Sequence, residues 1–135
     1  MAGPQEINYH ELQPGYEFPP ATYRIDAATL EAFLRTVGEE SGLYSNLEIV
    51  PPMAVTAFAM AALSESMSLP WGSIHVSQEM EFTGIVGTGD AITSSARVTR
   101  NHKRGGMHLL AIELKALDSS GGLVLAGRTT FVLPE

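Results

Sequence analysis

The sequence predicts an α+β domain in which an antiparallel sheet curls around one long buried helix. Three observations support this fold class. The segment MAVTAFAMAAL at 53–63 is apolar on nearly every side, most of the chain after Pro70 alternates as strands do, and DSSGG at 118–122 signals a hairpin. With 135 residues, 44% of them hydrophobic, the chain can bury a full core, and we assign residues 1–135 to a single domain.

The first 22 residues are rich in Pro and Gly and predict an N-terminal arm. We expect Leu12, Tyr16 and Phe18 to pin this arm to the body of the domain. A short strand over 23–25 should follow it.

Asp26 is predicted to cap the first helix, because its side chain can accept a hydrogen bond from the first turn. Gly38 is predicted to end that helix. Helical spacing places four residues on its buried face, namely Leu30, Phe33, Leu34 and Val37.

The second helix is predicted to begin at Pro51-Pro52, since proline is tolerated in a first turn, and to end at Pro70. Its many alanines and few large side chains would let a sheet wrap closely around it. We therefore expect it to be buried all round.

The rest of the chain predicts antiparallel strands. In the strand over 73–82, one face should carry Ile74, Val76, Met80 and Phe82, and the other His75, Ser77, Glu79 and Glu81. The further segments are a glycine-rich turn at 84–90, a strand at 91–100, a basic hairpin tip at 101–106, and long strands at 107–117 and 123–133. A sheet this small leaves its far face and its edges exposed unless another copy covers them. This arrangement is a hot-dog fold, and it predicts a dimer.

Composition excludes several classes of function. The net charge of −7 disfavours nucleic acid as a partner, and the absence of cysteine excludes disulfides, thiolate metal sites and cysteine nucleophiles. The four histidines show no metal-ligand spacing, so we expect no metal site. The apolar segment 53–63 is too short to cross a bilayer and no signal peptide is expected, which predicts a cytoplasmic protein without a membrane partner.

Five short segments stand in a recognisable order: ELQPGYEF (11–18), VGEESGLYSN (37–46), VPPMAVTAF (50–58), QEMEFTGIVGTGD (78–90) and HKRGG (102–106). Together, over about residues 11–133, they resemble the MaoC-like dehydratases, the family of (R)-specific enoyl-thioester hydratases. The resemblance implies an acyl-CoA or acyl-carrier-protein substrate. Coenzyme A or phosphopantetheine would enter as part of that substrate, with no separate cofactor.

In that family a loop of the form G-D-x-N-P-x-H, with Tyr in place of His in some members, lies before the central helix. The resemblance implies that its Asp and His activate the water that adds to the double bond beside the thioester carbonyl. A backbone N–H at the start of the helix binds the carbonyl oxygen as negative charge builds there.

This sequence departs from that pattern at its chemical groups. The Asp aligns with Glu39, the Asn with Ser41 and the His with Tyr44; the extra methylene of Glu shifts the carboxylate by about an ångström, and Tyr is a poor base at neutral pH. The glycine at the helix start aligns with Pro52, which has no N–H, so that Met53 would have to supply the donor. Glu39 and Tyr44 remain the candidate catalytic residues.

Members with Tyr in the loop and a Pro-Pro pair resemble the non-catalytic halves of double-hot-dog dehydratases and the substrate-binding subunits of heteromeric ones. Our first hypothesis is therefore a hydratase or dehydratase of enoyl or 3-hydroxyacyl thioesters, or its substrate-binding, non-catalytic subunit. The expected partner is a second hot-dog subunit, in a homodimer or a heterodimer.

Two other functions stay open. A hot-dog thioesterase would use His75 as its base, oriented by Glu39 or Glu79, because histidine has a suitable pKa. A structural histidine facing solvent or a dimer partner is the simpler interpretation of His75. The third hypothesis is a binding module without chemistry.

Four of the eight basic residues fall within eight positions of this acidic chain: Arg97, Arg100, Lys103 and Arg104. Such a run is usually a solvated hairpin. Its local reversal of sign also fits the phosphates of coenzyme A or the acidic surface of an acyl-carrier protein.

Overall fold

The computed structural model describes residues 11–134, which form a five-stranded antiparallel sheet, a two-stranded sheet and three helices. The elements in chain order are β1 (Ala21–Arg24), α1 (Ala27–Val37), α2 (Leu43–Leu47), β2 (Ile49–Val50), α3 (Pro52–Ser66), β3 (Ile74–Phe82), β4 (Val86–Gly87), β5 (Ala91–Arg104), β6 (Met107–Leu117) and β7 (Leu123–Pro134). The large sheet has the order β1-β5-β6-β7-β3, and β2 pairs with β4. A helix lying on one antiparallel sheet confirms the predicted hot-dog fold.

The predicted arm lies along β5, although its residues 1–10 fall outside the described part of the chain. Leu12 is 0% exposed and Phe18 is 3% exposed, so both pin the arm as predicted, whereas Tyr16 remains 37% exposed. The N–H of Phe18 donates to the carbonyl of Ala96 at 2.9 Å, which extends the sheet beyond the end of β1.

Helix α1 begins as the sequence predicts. An oxygen of Asp26 accepts the N–H of Thr29 at 2.8 Å, and hydrogen bonding from Thr29 holds the pKa of that carboxyl below its usual value. Leu30 and Leu34 are buried. The prediction for Val37 is wrong, since it is 58% exposed in the last turn, beyond the edge of the core.

Helix α3 lies across the inner face of the sheet. It starts at Pro52 as predicted but ends at Ser66, well before Pro70, because Met67 has extended backbone angles. Its buried residues are Ala54, Val55, Thr56, Ala59 and Leu63. The prediction that this helix is buried on every side is wrong. Met53 is 57% exposed, and Ala57 and Ala61 are also exposed, because the sheet and the loops enclose only part of the helix.

Strand β3 contains a bulge that the alternating sequence does not reveal. His75 lies opposite Phe131 and Ser77 opposite Thr130, so Val76 has no counterpart on β7. The bulge exchanges the two faces of the strand. His75 shares the inner face with Met80, while Ile74 lies on the outer face with Glu79 and Glu81, which overturns the predicted set of Ile74, Val76, Met80 and Phe82.

Two other segments differ from the sequence prediction. The hairpin tip predicted over 101–106 is shorter than expected, since β5 continues to Arg104 and only Gly105 and Gly106 form the turn. The predicted turn at 84–90 contains β4, which pairs with β2 at the start of α3. These added strands bring residues 84–86 against the first turn of α3.

Candidate active site

The loop between α1 and α2 has a fixed backbone. Gly38 ends α1 with φ 76°, and the N–H of Glu39 donates to the carbonyl of Leu34 at 2.9 Å. Gly42 then takes φ 73° and precedes α2. The predicted stop at Gly38 is confirmed, and the loop is held by its own hydrogen bonds.

Glu39 is exposed, and its carboxylate accepts the N–H of Ser41 at 3.0 Å. Hydrogen bonding from the side chain and then the backbone of Ser41 lowers the pKa of Glu39 below its ordinary value. A general base works best with a pKa near neutrality, and this shift moves the pKa of Glu39 away from that range. The hydrogen bond that Glu39 makes is part of the turn at Ser41.

Tyr44 lies in α2 and is half-buried. Its side chain packs against the part of the core that contains Ile25, Leu30 and Val50. The residue that replaces the family's histidine is therefore a packing aromatic in this chain.

The first turn of α3 offers one N–H group. Pro52 has none, and the N–H groups of Ala54 and Val55 both point to the carbonyl of Pro51, at 2.9 and 3.4 Å. Met53 therefore holds the remaining N–H of that turn, without an acceptor inside the helix, and its side chain is 57% exposed. A donor is present one residue after the family's position.

An apolar cavity of about 90 Å³ adjoins this turn. Its lining includes Val50, Pro52, Val55, Phe82, Ile85 and Val124. A separate groove of about 340 Å³, on the solvent side of the loop, is lined by Glu39, Glu40 and Gly42 together with α1. Glu39 and Pro52 thus line different hollows, and the structure does not bring them together. The sequence did not predict that Phe82 and Ile85 line this cavity, because their position there depends on the pairing of β2 with β4.

His75 lies on the inner face of β3, not on the outer face that the alternation predicts. Its Nε2 is 2.6 Å from Oγ1 of Thr129, which is 0% exposed, and its ring stacks on Phe131 with the centroids 4.7 Å apart. Glu79, one of its predicted partners, binds Arg128 on the opposite face at 3.1 Å. The imidazole is therefore oriented by a hydroxyl.

The basic residues do not form one patch. Arg97 pairs with Glu113 at 3.7 Å on the outer face of the sheet, and Lys115 contacts the same carboxylate at 3.4 Å. A bulge between Val98 and Arg100 intervenes before the exposed remainder of the set. By register, Arg100 and Arg104 share the outer face and Lys103 lies on the inner one.

Within residues 11–134, no group of three or more His, Asp or Glu side chains is arranged to hold a metal ion. Among the helices described above, none has the length and apolarity needed to span a membrane.

The comparisons with known proteins agree with the hot-dog fold. Residues 12–126 match the family described as FAS1-like, dehydratase domain region. The unliganded R-hydratase PhaJ1 from Pseudomonas aeruginosa superposes with a TM-score of 0.81 at 22% identity, over 99% of this chain and 90% of that chain. The (R)-hydratase from A. caviae, involved in PHA biosynthesis, gives 0.77 at 20% identity, over 92% of this chain and 98% of that chain.

A third similar structure is a complex. A chain of the C-terminally truncated HadBC (3R-hydroxyacyl-ACP dehydratase) complex from Mycobacterium tuberculosis superposes with a TM-score of 0.70 at 18% identity, over 88% of this chain and 96% of that chain. At these identities the likeness shows the fold. No curated protein matches the sequence.

Proposed function

Since the chain belongs to the FAS1-like dehydratase domains and is a MaoC-like hot-dog protein, we propose that it is the acyl-thioester-binding subunit of a hydratase or dehydratase. In this proposal the groups that move the proton belong to another chain. The observation that carries it is the loop: the carboxylate of Glu39 is held in a turn with a lowered pKa, and Tyr44 packs against the core.

The apolar cavity beside Pro52 supports acyl binding. Its volume of about 90 Å³ equals roughly three water molecules, which suits a short acyl group such as crotonyl. The N–H of Met53, the residue after the lining residue Pro52, would donate to the thioester carbonyl. Coenzyme A or phosphopantetheine would extend outward as part of the substrate, in keeping with a protein that works in the cytoplasm.

The open edge of the sheet supports a partner. Within residues 11–134, strand β3 is paired on one side only, with β7. We propose that a second hot-dog subunit covers it. The HadBC complex is one dehydratase assembled from hot-dog chains. A homodimer is the alternative arrangement.

Crotonyl-CoA hydration tests the proposal. The purified chain should hydrate it slowly or not at all, and Glu39→Gln and Tyr44→Phe should leave that background unchanged. A variant with the family's loop restored (Glu39→Asp, Ser41→Asn, Tyr44→His and Pro52→Gly) should gain roughly 100-fold, the scale of positioned acid–base catalysis. Circular dichroism checks that it folds, because Tyr44 packs against the core. Fast hydration by the wild type would contradict the proposal that another chain moves the proton, and its loss in Glu39→Gln or Tyr44→Phe would contradict the roles given to the loop.

Measuring free thiol in the same reactions distinguishes the thioesterase and the binding module from a hydratase subunit. Release of free thiol, abolished by His75→Ala, would identify a thioesterase. His75 is oriented by the hydroxyl of Thr129, so within residues 11–134 that reaction lacks the carboxylate that would pair with its base. Failure to bind any acyl-CoA would identify a module without this chemistry.

A further inference from the structure

In the part of the chain that the structure describes, the edge of β3 away from β7 is unpaired, and apolar side chains line it. Trp71, just before the strand, is 99% exposed, Ile74 is 59% exposed and Val76 is 48% exposed. Unpaired backbone groups beside exposed apolar side chains are typical of an edge that another chain covers. These residues indicate that the edge is covered, but not by what.

A row of charged side chains across the outer face of the sheet indicates which kind of chain covers this edge. Arg97 on β5 lies opposite Glu113 on β6, Glu113 opposite Arg128 on β7, and Arg128 opposite Glu79 on β3. Two of these contacts are ion pairs, Arg97–Glu113 at 3.7 Å and Arg128–Glu79 at 3.1 Å. The signs alternate across four strands, and the row ends at the open edge on a carboxylate.

Glu81 is the next outward-facing residue of β3. It lies opposite Ala126, so its neighbour on β7 offers no positive charge. The strand, IHVSQEMEF, contains no Lys or Arg. The edge therefore presents two carboxylates on its outer face: Glu79 pairs with Arg128 at 3.1 Å, and Glu81 has Arg128 only as a diagonal neighbour by register.

A second copy of this chain would fit that edge poorly. In a symmetric antiparallel pair with both helices on one side of a continuous sheet, outward-facing residues oppose outward-facing residues. Glu79 would then lie opposite Ser77, Glu79 or Glu81 of the copy, with a carboxylate of the copy directly opposite or diagonal to it in each register. Like charges opposed across strands are destabilising, and opposite charges are stabilising.

We propose that β3 pairs with the edge strand of a different hot-dog chain, one that carries Lys or Arg opposite Glu79 and Glu81, in preference to a second copy of this chain. That the partner is a hot-dog subunit rests on the proposed function. The preference for a positively charged partner rests only on the outward-facing residues of β3, Glu79 and Glu81.

A basic version of the same chain serves as the probe. Glu79→Gln/Glu81→Lys gives the row a positive charge without placing a lysine beside Arg128. Wild-type protein, labelled at its N-terminus, is titrated with this variant, with unlabelled wild type, or with Glu11→Gln/Glu31→Lys, and association is followed by sedimentation. The last variant changes net charge equally at exposed positions away from β3.

We expect wild type to bind the basic variant about 5- to 50-fold more tightly than it binds itself or the charge-matched control. The preference should shrink between 50 and 500 mM salt, because salt screens exposed charges. Equal binding to wild type and to the basic variant would overturn the proposal, as would equal binding to the control or no association of any pair. The titration contains no thioester, so its failure leaves the crotonyl-CoA result intact, and the reverse also holds.

Discussion

The two edges of the five-stranded sheet differ in whether the chain itself covers them. At the β5 edge the chain covers itself: β1 pairs with the first part of β5, and the arm continues the pairing through Phe18. At the β3 edge nothing in residues 11–134 pairs with the strand, and Trp71 and Ile74 stand in solvent. Within residues 11–134 the chain thus pairs one edge from its own sequence and leaves the other exposed, where the proposed partner would bind.

Phe18→Ala tests the closed edge and should have the largest effect. The side chain is 3% exposed in the core, so its removal should lower the free energy of unfolding by about 3–5 kcal/mol. Tyr16→Ala is the matched control, because Tyr16 touches the Phe18 ring but is 37% exposed, and it should cost about 1 kcal/mol. Urea denaturation measures both, and equal losses would show that the arm is not anchored through Phe18.

Gly127→Ala tests how closely β7 packs against β3, the strand at the unpaired edge. A Cβ at Gly127 would overlap the carbonyl oxygen of Glu79 and the sulfur of Met80 on β3. We expect a loss of roughly 1–3 kcal/mol in the free energy of unfolding, since β3 must move outward. Ala126→Ser, on the neighbouring residue, should be nearly neutral. A neutral Gly127→Ala would mean that β3 is free to shift and that the bulge does not fix its register.

Tyr23→Phe tests a side-chain contact between β1 and β5, at the edge that the chain covers itself. The Tyr23 hydroxyl lies 2.6 Å from that of Ser94, which is 5% exposed, so the change should cost about 1 kcal/mol. Burial raises the pKa of Tyr23, although the hydrogen bond with Ser94 opposes the shift. The unfolded chain therefore loses this proton first, and the wild type should lose stability as the pH rises above about 10. Its advantage over Tyr23→Phe should shrink there; a constant difference from pH 8 to 11 would contradict the burial.

Trp71→Ala should have the smallest effect on the isolated chain. A side chain that is 99% exposed contributes little, and we expect a change within about 0.5 kcal/mol. Circular dichroism in urea at low protein concentration is suitable, because Trp71 is the only tryptophan and its fluorescence is lost. A larger loss would mean that the open edge is already packed within a single chain.

Local rules predict much of this fold from the sequence. Asp26 and Gly38 bound α1 through capping chemistry within a few residues, and Pro52 starts α3 for the same kind of reason. Long strands follow from alternation and turn residues. The bulge at Val76 does not, because it exists only in register with β7. That one residue places His75 on the wrong face in any prediction based on alternation.

The candidate site was predictable only in part. The resemblance located the loop at Glu39 and Tyr44, but their surroundings depend on tertiary packing. Burial of the Tyr44 ring requires the core beneath α1, and the cavity beside Pro52 requires β4 to bring Ile85 against α3. Exposure of one side of α3 likewise follows from how far the sheet curls, which no local pattern encodes.

Equilibrium dialysis against crotonyl-CoA, followed by mass spectrometry of the recovered ligand, tests the central claim most directly. The account predicts that the chain retains crotonyl-CoA and returns it unchanged, whereas the variant with the restored loop returns it hydrated. Hydrated ligand from the wild type would show that this chain carries its own catalytic groups. No retained ligand would show that it is not the acyl-binding subunit proposed here.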